Sequence, residues 1–349
     1  MRGLKRLLIW TLIPVIIELT GLLLVDKIYL NDETTFSTTK VDVSAKTQAD
    51  KINVKVPDDA NNFGISYTGN YISYCDDDGI KIINTSNNKK EKITFDDGIE
   101  MSAYKWLADR DILFIAEKII YDDGSTYLRF ESYNPKDNEK SVLSDDNRKE
   151  LKILLNDDGY NVTQIALSSL TNVTYVKVDK EGYNSKIYRI NVMAQAERVR
   201  YPICNISSIA AENKEDRLIY QDSSSNRIRV YGLRNPIATG ENAIHYLLNV
   251  DNEDNIYIGN GENNIISKIF VANLKKTRQQ WKIYTLSQPV QKSNIYITAS
   301  GKVYINDPSK NTVTELVSGK QLTYTGNLIK AYDEGIIYRD GNKIIGKLI

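Results

Sequence analysis

Paired aspartates recur in the polar breaks between apolar runs of this sequence, and they are the residues best suited to bind something. They are Asp76, Asp77, Asp78, Asp96, Asp97, Asp122, Asp123, Asp157 and Asp158. Carboxylates are hard oxygen ligands suited to Ca²⁺, but the spacing of an EF-hand loop does not occur, so any Ca²⁺ site would be weak. A group of them would also attract a basic partner. Each pair equally suits a plain hairpin turn, because Asp and Gly tolerate positive φ, and both interpretations remain open.

Few other residues could support catalysis or transition-metal binding. His245 is the only histidine and lies in a strand-like run, which predicts a buried or rim residue rather than a general base. Cys75 and Cys204 lack a CxxC spacing, so we expect two separate thiols, with one disulfide or a reactive cysteine as the alternatives. No Gly-x-Ser-x-Gly elbow occurs. We therefore expect a protein that is not an enzyme and has no cofactor, with weak Ca²⁺ binding left open.

The overall charge provides no general electrostatic field. Lys and Arg together number 45 in the 349 residues, and Asp and Glu together also number 45. A globally basic surface for nucleic acid is therefore excluded. Any electrostatic binding must come from a local patch, and the expected partner is a protein or a cell-envelope polymer.

The N-terminal segment combines basic residues with a long apolar run. About nineteen mostly apolar residues, Leu7 to Val25, match the length of a membrane-spanning helix. Basic residues precede them and favour a cytoplasmic N-terminus, so residues 1–30 are predicted to be a cytoplasmic stub and a single-pass plasma-membrane anchor. A cleaved signal peptide is the alternative, but no small-x-small cleavage site follows. Residues 31–50 are polar and are predicted to be a tether to an extracytoplasmic domain.

From residue 51 onward, pairs of short β-type runs recur, each pair joined by a polar turn. The runs are rich in Ile, Val, Tyr and Phe and are bounded by Gly, Asn and Asp, which is typical of hairpins. The second run of each pair is marked by Ile80, Leu128, Ile187, Ile228, Ile269, Val303 and Ile344. The mean spacing of about 44 residues suits four-stranded propeller blades. The sequence predicts an all-β, seven-bladed β-propeller of four-stranded antiparallel blades over residues 51–349.

The last repeat lacks its fourth strand. The chain ends on "GIIYRDGNKIIGKLI", which supplies the second and third strands of a blade, and "GNLIKAY" before it supplies the first. "KINVKVP", Lys51–Pro57, is an unpaired strand before the first repeat. We expect Lys51–Pro57 to close the ring as the outer strand of the last blade, beside the strand around Lys343–Leu348. Closure would remove most exposed sheet edges.

The stretch "YKWLADRDILFIAEK", residues 104–118, resembles TolB-type and WD40-like propeller repeats, in which an aromatic residue, a tight polar turn and a buried strand recur. Here Ala-Asp-Arg-Asp replaces the usual Ser-Pro-Asp-Gly turn, and the Trp-Asp dipeptide is missing. The resemblance covers residues 51–349 and implies a propeller similar to the N-terminal propeller of dipeptidyl peptidase IV. "YDDGSTY", residues 121–127, is similar to the Asp-box of sialidase propellers, which is a structural turn.

The long spacing between the second and third repeats indicates an insertion. It contains "DDNRKELKILLNDDG", in which Leu151, Leu154 and Leu155 share a helical face and Asp146 could cap the N-terminus. We expect a short helix there, serving either binding or packing.

The order of strands in a blade assigns the charged turns to two faces. With strands a to d counted outward, the b–c and d–a connections emerge on one face and the a–b and c–d connections on the other. The aspartate pairs fall on the first face. The second face is predicted to carry the basic residues Lys89, Lys90, Lys275, Lys276 and Arg278, directed towards the membrane.

These features predict a membrane-anchored, extracytoplasmic propeller that binds or scaffolds a partner without catalysis. One alternative is a sensor or accessory subunit of an envelope complex, whose anchor contacts another membrane helix through Glu18. A propeller hydrolase or lyase is a third interpretation.

Overall fold

A computed structural model describes residue 15 and the ranges 18–22, 52–155, 157–201, 205–333 and 335–348. The predicted tether and most of the predicted anchor, Leu7 to Val25, lie outside these residues. Among the described residues, no helix reaches the length and apolarity needed to cross a membrane. The chain divides into two compact units, residues 1–44 and 45–349, and the description below concerns the second.

Seven antiparallel sheets form the blades of a propeller. Blades 1 and 2 contain β2 (Asn61–Ile65), β3 (Tyr71–Asp76), β4 (Gly79–Asn84), β5 (Lys90–Lys92), β6 (Ile99–Trp106), β7 (Leu113–Ile120), β8 (Thr126–Asn134), β9 (Glu139–Val142) and β10 (Lys152–Leu155). Blades 3 and 4 contain β11 (Asn161–Ser168), β12 (Val173–Asp179), β13 (Lys186–Ile190), β14 (Ala196–Arg198), β15 (Ile206–Ala211), β16 (Leu218–Asp222) and β17 (Arg227–Val230).

The remaining strands complete the ring. Blades 5 and 6 contain β18 (Ile244–Val250), β19 (Ile256–Glu262), β20 (Ile265–Ala272), β21 (Lys282–Gln291), β22 (Ile295–Ile297), β23 (Val303–Asp307), β24 (Thr312–Glu315) and β25 (Gln321–Thr323). Blade 7 contains β26 (Asn327–Tyr332), β27 (Gly335–Asp340), β28 (Lys343–Leu348) and β1 (Asn53–Lys55). Two 3₁₀ turns lie at Arg278–Gln280 and Lys292–Asn294. The predicted seven-bladed, all-β propeller is confirmed.

The ring closes as predicted, because β1 is the outer strand of blade 7. Val54 lies opposite Ile344, and Lys55 lies opposite Lys343. The side chains of Val54 and Ile344 are buried. The first strand of the propeller therefore joins its last, which leaves no open end to the ring.

The hydrophobic core is divided into seven clusters, each between two neighbouring blades. One cluster, for example, joins Ile80 and Ile82 of blade 1 to Leu113 and Ile115 of blade 2. The others join blades 2 to 3, 3 to 4, 4 to 5, 5 to 6, 6 to 7 and 7 to 1. Each blade packs against a neighbouring blade on both of its faces. Its strands therefore need apolar residues on both faces, which explains the runs of Ile and Val.

The insertion in blade 2 is a strand and a turn rather than the helix predicted from Leu151, Leu154 and Leu155. Residues 152–155 pair with β8 in antiparallel register, beside the part of β8 that pairs with β9. The intervening residues form a turn in which Asp145 accepts hydrogen bonds from backbone N–H groups of Asn147 and Lys149, both at 2.9 Å. Burial of Ile153 and Leu155 on alternate positions follows the period of two of a strand, which outweighs the apparent helical spacing of the three leucines.

Two further blades depart from the prediction. In blade 6, Val303 begins the second strand, β23, whereas the sequence interpretation placed it in the third. Lys310, in the β23–β24 turn, therefore lies on the face that carries the aspartate pairs. In blade 4 three strands are described. At the position of the fourth, outer strand, Ile237 N–H donates a backbone hydrogen bond of 2.8 Å to the Ile228 carbonyl oxygen of β17.

Candidate functional site

The nine predicted aspartates lie on one face of blades 1 to 3, which we call the b–c face because it carries the b–c and d–a connections. They occupy the end of β3 with its turn to β4, the connection from β5 to β6, the turn from β7 to β8 and the connection from β10 to β11. Successive strands are antiparallel, so alternate connections share a face. The structure thus brings these residues to the same side of the disc, as the strand order predicted.

Several of these carboxylates already have partners. Lys81 Nζ lies 3.3 Å from Asp76 Oδ2 and 3.0 Å from Asp78 Oδ2. Asp157 forms an ion pair with Lys180, whose hydrogen bond lowers the pKa of the Asp157 carboxyl. Asp123 accepts a hydrogen bond of 2.8 Å from the Ser125 backbone, as expected for a turn.

Four other carboxylates have no side-chain partner within the described part of the chain. They are Asp77, Asp96, Asp97 and Asp122. Three of them lie around blade 2, where Ile120 N–H donates a hydrogen bond of 3.2 Å to the Gly98 carbonyl oxygen and so joins the two acidic connections. This sector therefore carries negative charge that the described residues do not neutralise.

Two exposed side chains, Tyr121 and Leu154, lie beside these acidic turns with the half-buried Tyr127, and we call the three the blade 2 patch. The two tyrosine rings meet edge to face with centroids 5.6 Å apart. Leu154 lies directly opposite Tyr127 in the strand register, and its side chain is 53% exposed. Lys152 Nζ donates a hydrogen bond of 3.2 Å to the Tyr121 hydroxyl, which orients the ring. The sequence pattern did not predict this patch, because the spacing of the leucines indicated a helix at Leu154.

The predicted basic residues lie at or beside the c–d connections of blades 1 and 5, on the opposite face, which we call the a–b face. Two of them have acidic partners: Lys89 lies 2.6 Å from Glu91, and Lys275 forms an ion pair with Glu215. The Arg278 guanidinium lies against Gly240, where an added Cβ would clash with it. Their orientation towards a membrane stays a prediction.

The a–b face carries both signs of charge rather than a basic excess. Its described turns also contain acidic residues at Asp109, Asp111, Glu212, Glu215, Asp216, Asp251, Glu253, Asp254 and Asp333. The predicted basic residues all lie at or beside the c–d connections, whereas these acidic residues lie in the a–b turns of the same face.

A central cavity of about 320 Å³ opens among the inner strands, and the sequence analysis did not predict its lining. All seven blades contribute to it through the ends of their a strands and the turns that follow. Lys105 of β6 and Lys330 of β26 line this cavity, and both side chains are solvent-exposed although their neighbours Trp106 and Ala331 are buried. The signal in the sequence was a lysine inside an otherwise apolar or aromatic run, in "AYKWL" and "NLIKAY".

The remaining candidates for chemistry are structural in the described residues. His245 is buried in β18; its Nδ1 lies 2.7 Å from the Ala243 carbonyl oxygen and 2.9 Å from Arg227 Nη1. Burial lowers its pKa. Cys75 is a free, buried thiol, and Cys204 lies outside the described residues. Within the described ranges, no group of three or more His, Cys, Asp or Glu side chains could hold a metal ion.

Comparisons with known proteins agree on the fold. No protein-family model matches the chain, and no curated protein does. Among solved structures, the β-propeller domain of Cps50 (Swd1) from Myceliophteria thermophila matches with a TM-score of 0.53, at 10% identity over 84% of this chain and 98% of that one. One of two prolyl endopeptidases matches with a TM-score of 0.51, at 12% identity over 77% of this chain. The match spans 42% of that endopeptidase.

Blade number, strand order and these matches define the class of the protein. It is a seven-bladed β-propeller with the fold of WD40-like and peptidase propellers. At this level of identity the likeness concerns the fold alone, because one fold carries many unrelated functions.

Proposed function

We propose that this protein is a non-catalytic binding propeller that holds a basic segment of a partner protein on the b–c face of blades 1 to 3. The proposal includes the predicted placement of the propeller outside the cytoplasm by the apolar segment Leu7 to Val25. The Cps50 β-propeller domain, a WD40-like neighbour in fold, is compatible with a scaffold role.

The observation that carries this proposal is the blade 2 patch beside carboxylates without described partners. Tyr121 is 42% exposed and held by Lys152 and Tyr127, so it loses little conformational entropy on binding. Exposed tyrosines are frequent anchors of protein interfaces. The nearby Asp96, Asp97 and Asp122 would steer a basic segment to the patch and select against an acidic one.

Tyr183 extends the same surface on blade 3. Its side chain is 62% exposed, and its ring lies 6.4 Å from that of Tyr160. Lys180 Nζ lies 4.7 Å from the Tyr183 centroid while pairing with Asp157, so this cation is already used within the surface. An aromatic residue of the partner could stack there beside its basic residues.

The alternatives have less support. A sensor or accessory subunit would use the same propeller together with a contact at Glu18, for which the described residues offer no further observation. A hydrolase or lyase is suggested by the endopeptidase match, but the likeness there is one of fold, and fold alone does not transfer an activity.

The binding surface can be tested with a defined probe. Fluorescent peptides of alternating lysine and leucine, and of alternating glutamate and leucine, are titrated with the full chain by anisotropy. We expect the lysine peptide alone to bind, and we expect Asp96→Asn, Asp97→Asn and Asp122→Asn together to weaken it about tenfold. The matched control removes three charges from the a–b face, with Asp109→Asn, Asp137→Asn and Glu253→Gln. Equal effects of both triple variants, or no effect of either, would overturn the proposal.

The membrane placement needs a separate test. The full chain and a chain without residues 1–30 are expressed in a bacterial host, and the membrane and soluble fractions are separated. We expect the full chain in the membrane fraction and the shortened chain outside it. Equal partition of the two chains would contradict the anchor and leave the partner surface unaffected.

A further inference from the structure

We propose that the central cavity binds a small organic anion, with a carboxylate or phosphate-monoester group held between Lys105 and Lys330 and a compact apolar body against the channel wall. This site opens among the a–b turns, on the face opposite the proposed partner surface. It therefore stands or falls independently of the proposed function.

The two lysines reach the cavity from different blades. Lys105 lies in the inner strand of blade 2 and Lys330 in the inner strand of blade 7, with blade 1 between them. Lys105 Nζ donates a hydrogen bond of 2.6 Å to the Ile165 carbonyl oxygen, which fixes its position across the gap to blade 3. An ammonium has three donors, so Lys105 keeps donors for a ligand. The Lys330 ammonium has no hydrogen bond or ion pair with any residue in the described ranges, while its backbone pairs with β27.

The acidic residues of the described lining do not neutralise these lysines. Asp251 Oδ2 accepts hydrogen bonds from the Tyr257 hydroxyl at 3.0 Å and from Asn255 Nδ2 at 2.9 Å. Asp333 Oδ1 accepts a hydrogen bond of 3.1 Å from Ser300 N–H. Asp251 thus serves its own turn, and Asp333 caps the a–b turn of the neighbouring blade 6. Two cations are left in a shared, enclosed space, where an anion would be stabilised more strongly than in bulk water.

The titration behaviour of the lysines agrees with this geometry. Burial, together with the charge of Lys330, lowers the pKa of Lys105 to about 8. Burial also lowers the pKa of Lys330. Their side chains touch the solvent of the channel but are enclosed by the seven inner strands, so hydration is incomplete. A bound anion would offset this loss of hydration and the mutual repulsion.

The rest of the wall favours an apolar ligand body. Ile65, Leu167, Ile209 and Ile297 line the cavity at the ends of four different inner strands. The volume of about 320 Å³ lies at the small end of ligand pockets, which span roughly 300–1,000 Å³. A single ring or a short branched chain would fit there, whereas a polymer would not.

Calorimetry on the full chain tests the site with four probes: benzoate, phenyl phosphate, the neutral benzamide and inorganic phosphate. We expect saturable binding of benzoate, phenyl phosphate or both at millimolar concentrations or below, and none of benzamide. Inorganic phosphate should bind about tenfold more weakly than the better aryl anion, because it does not use the apolar wall. A preference for benzoate assigns a carboxylate ligand, and a preference for phenyl phosphate assigns a phosphate monoester.

Variants separate a built site from general charge attraction. Lys330→Met should weaken the aryl anion about tenfold or more, and Lys330→Arg should restore most of the affinity because it keeps the charge. Lys276→Met, which removes an exposed lysine from the same face, is the matched control and should change binding less than about twofold. Melting curves confirm that each variant is folded. Binding that survives Lys330→Met, binding of benzamide equal to that of benzoate, or no binding of either aryl anion would overturn the proposal.

Discussion

The Asp254 carboxylate caps the a–b turn of the preceding blade: Oδ1 accepts hydrogen bonds from the backbone N–H groups of Asn213 at 2.6 Å and Lys214 at 3.0 Å. The relationship recurs around the a–b face. Asp111 accepts a hydrogen bond of 2.8 Å from Thr68 N–H, and Asp333 accepts one from Ser300 N–H. These carboxylates join neighbouring blades at turns whose backbone donors lack a strand partner.

Removing this cap should destabilise the propeller. Asp254 is 4% exposed and has a φ of 61°, so Asp254→Gly deletes the carboxylate without straining the backbone. We expect the free energy of unfolding to fall by about 1–3 kcal/mol, because two N–H groups lose their acceptor. Urea denaturation measures the change. Asp254→Asn keeps an acceptor oxygen and should lose less; an equal loss in both variants would contradict the cap.

The closing strand should be essential to stability. Val54 is 1% exposed and packs within the cluster between blades 7 and 1, whereas the adjacent Lys55 points outward. Val54→Asp buries a charge and should lower the free energy of unfolding by about 3 kcal/mol or more. Lys55→Asp, one position along the same strand, should change it by less than about 0.5 kcal/mol. Similar melting temperatures for the two variants would show that β1 does not close the ring.

Blade 2 contains a buried charge cluster whose disruption should depend on pH. Arg129 lies 2.8 Å from Glu117 and 3.3 Å from Glu131, and both carboxylates are nearly inaccessible to solvent. Lys140 Nζ lies 2.7 Å from Glu131. Arg129→Met leaves the carboxylates without their main counter-charge and should cost about 3–5 kcal/mol at pH 7. Arg110→Met, at an exposed position, should cost less than about 0.5 kcal/mol.

The deficit of Arg129→Met should shrink as the pH falls from 7 towards 5. Burial and the nearby Glu131 raise the pKa of Glu117, and Arg129 opposes this rise, so the pKa should be raised further in Arg129→Met than in the native chain. A carboxyl whose folded-state pKa lies above its unfolded value takes up a proton on folding, so falling pH stabilises the folded form relative to the unfolded one. Denaturant curves at several pH values measure this. A deficit that is constant or grows towards pH 5 would contradict the assignment.

Lys105 should titrate well below an ordinary lysine. Its pKa of about 8, against 10.5 for a free side chain, arises from burial first and from the charge of Lys330 second. Lys330→Met should therefore raise the pKa of Lys105 without restoring the ordinary value. Reductive ¹³C-methylation followed by NMR titration gives the shift, with Lys276→Met as the control. An unchanged titration of Lys105 in Lys330→Met would show that the two ammonium groups do not interact.

The same depression has a consequence for stability. The unfolded chain holds the Lys105 proton more tightly than the folded protein does, so this residue opposes folding below about pH 8. The penalty should disappear as the pH rises from about 8 through 10.5. Lys105→Met should lack this rise when melting temperatures are compared across the range. A rise of equal size in both proteins would assign it to other groups.

Much of the architecture was present in the sequence because it depends on local patterns. Hairpins need turn residues such as Asp and Gly and flanking β-branched runs, and their recurrence gave the seven blades. The orphan strand at Lys51–Pro57 and the incomplete last repeat together predicted the closure now found between β1 and β28. Alternation of strand direction also placed the aspartate pairs, from Asp76 to Asp158, on one face.

Errors arose where a local pattern was compatible with two structures. Leu151, Leu154 and Leu155 fit a helical spacing. Residues 152–155 nevertheless form a strand, because they pair with the N-terminal half of β8, which β9 leaves unpaired. In blade 6 the runs before and after Val303 are similar in character, so local pattern could not decide which strand begins there. Backbone pairing across the sheet decided both cases, because hydrogen bonds to a distant strand outweigh weak local preference.

The relations between blades were decided only by the tertiary structure. Lys105 and Lys330 are far apart in the chain and come to one cavity because the ring closes and places blades 7, 1 and 2 side by side. The Asp254 carboxylate accepts a hydrogen bond from Asn213 N–H for the same reason, because blade 5 packs beside blade 4. The sequence by itself determined which segments become strands and turns, since those follow from neighbouring residues. The cavity, its two lysines and the caps between blades depend on how seven separate cores pack around an axis, which no local pattern encodes.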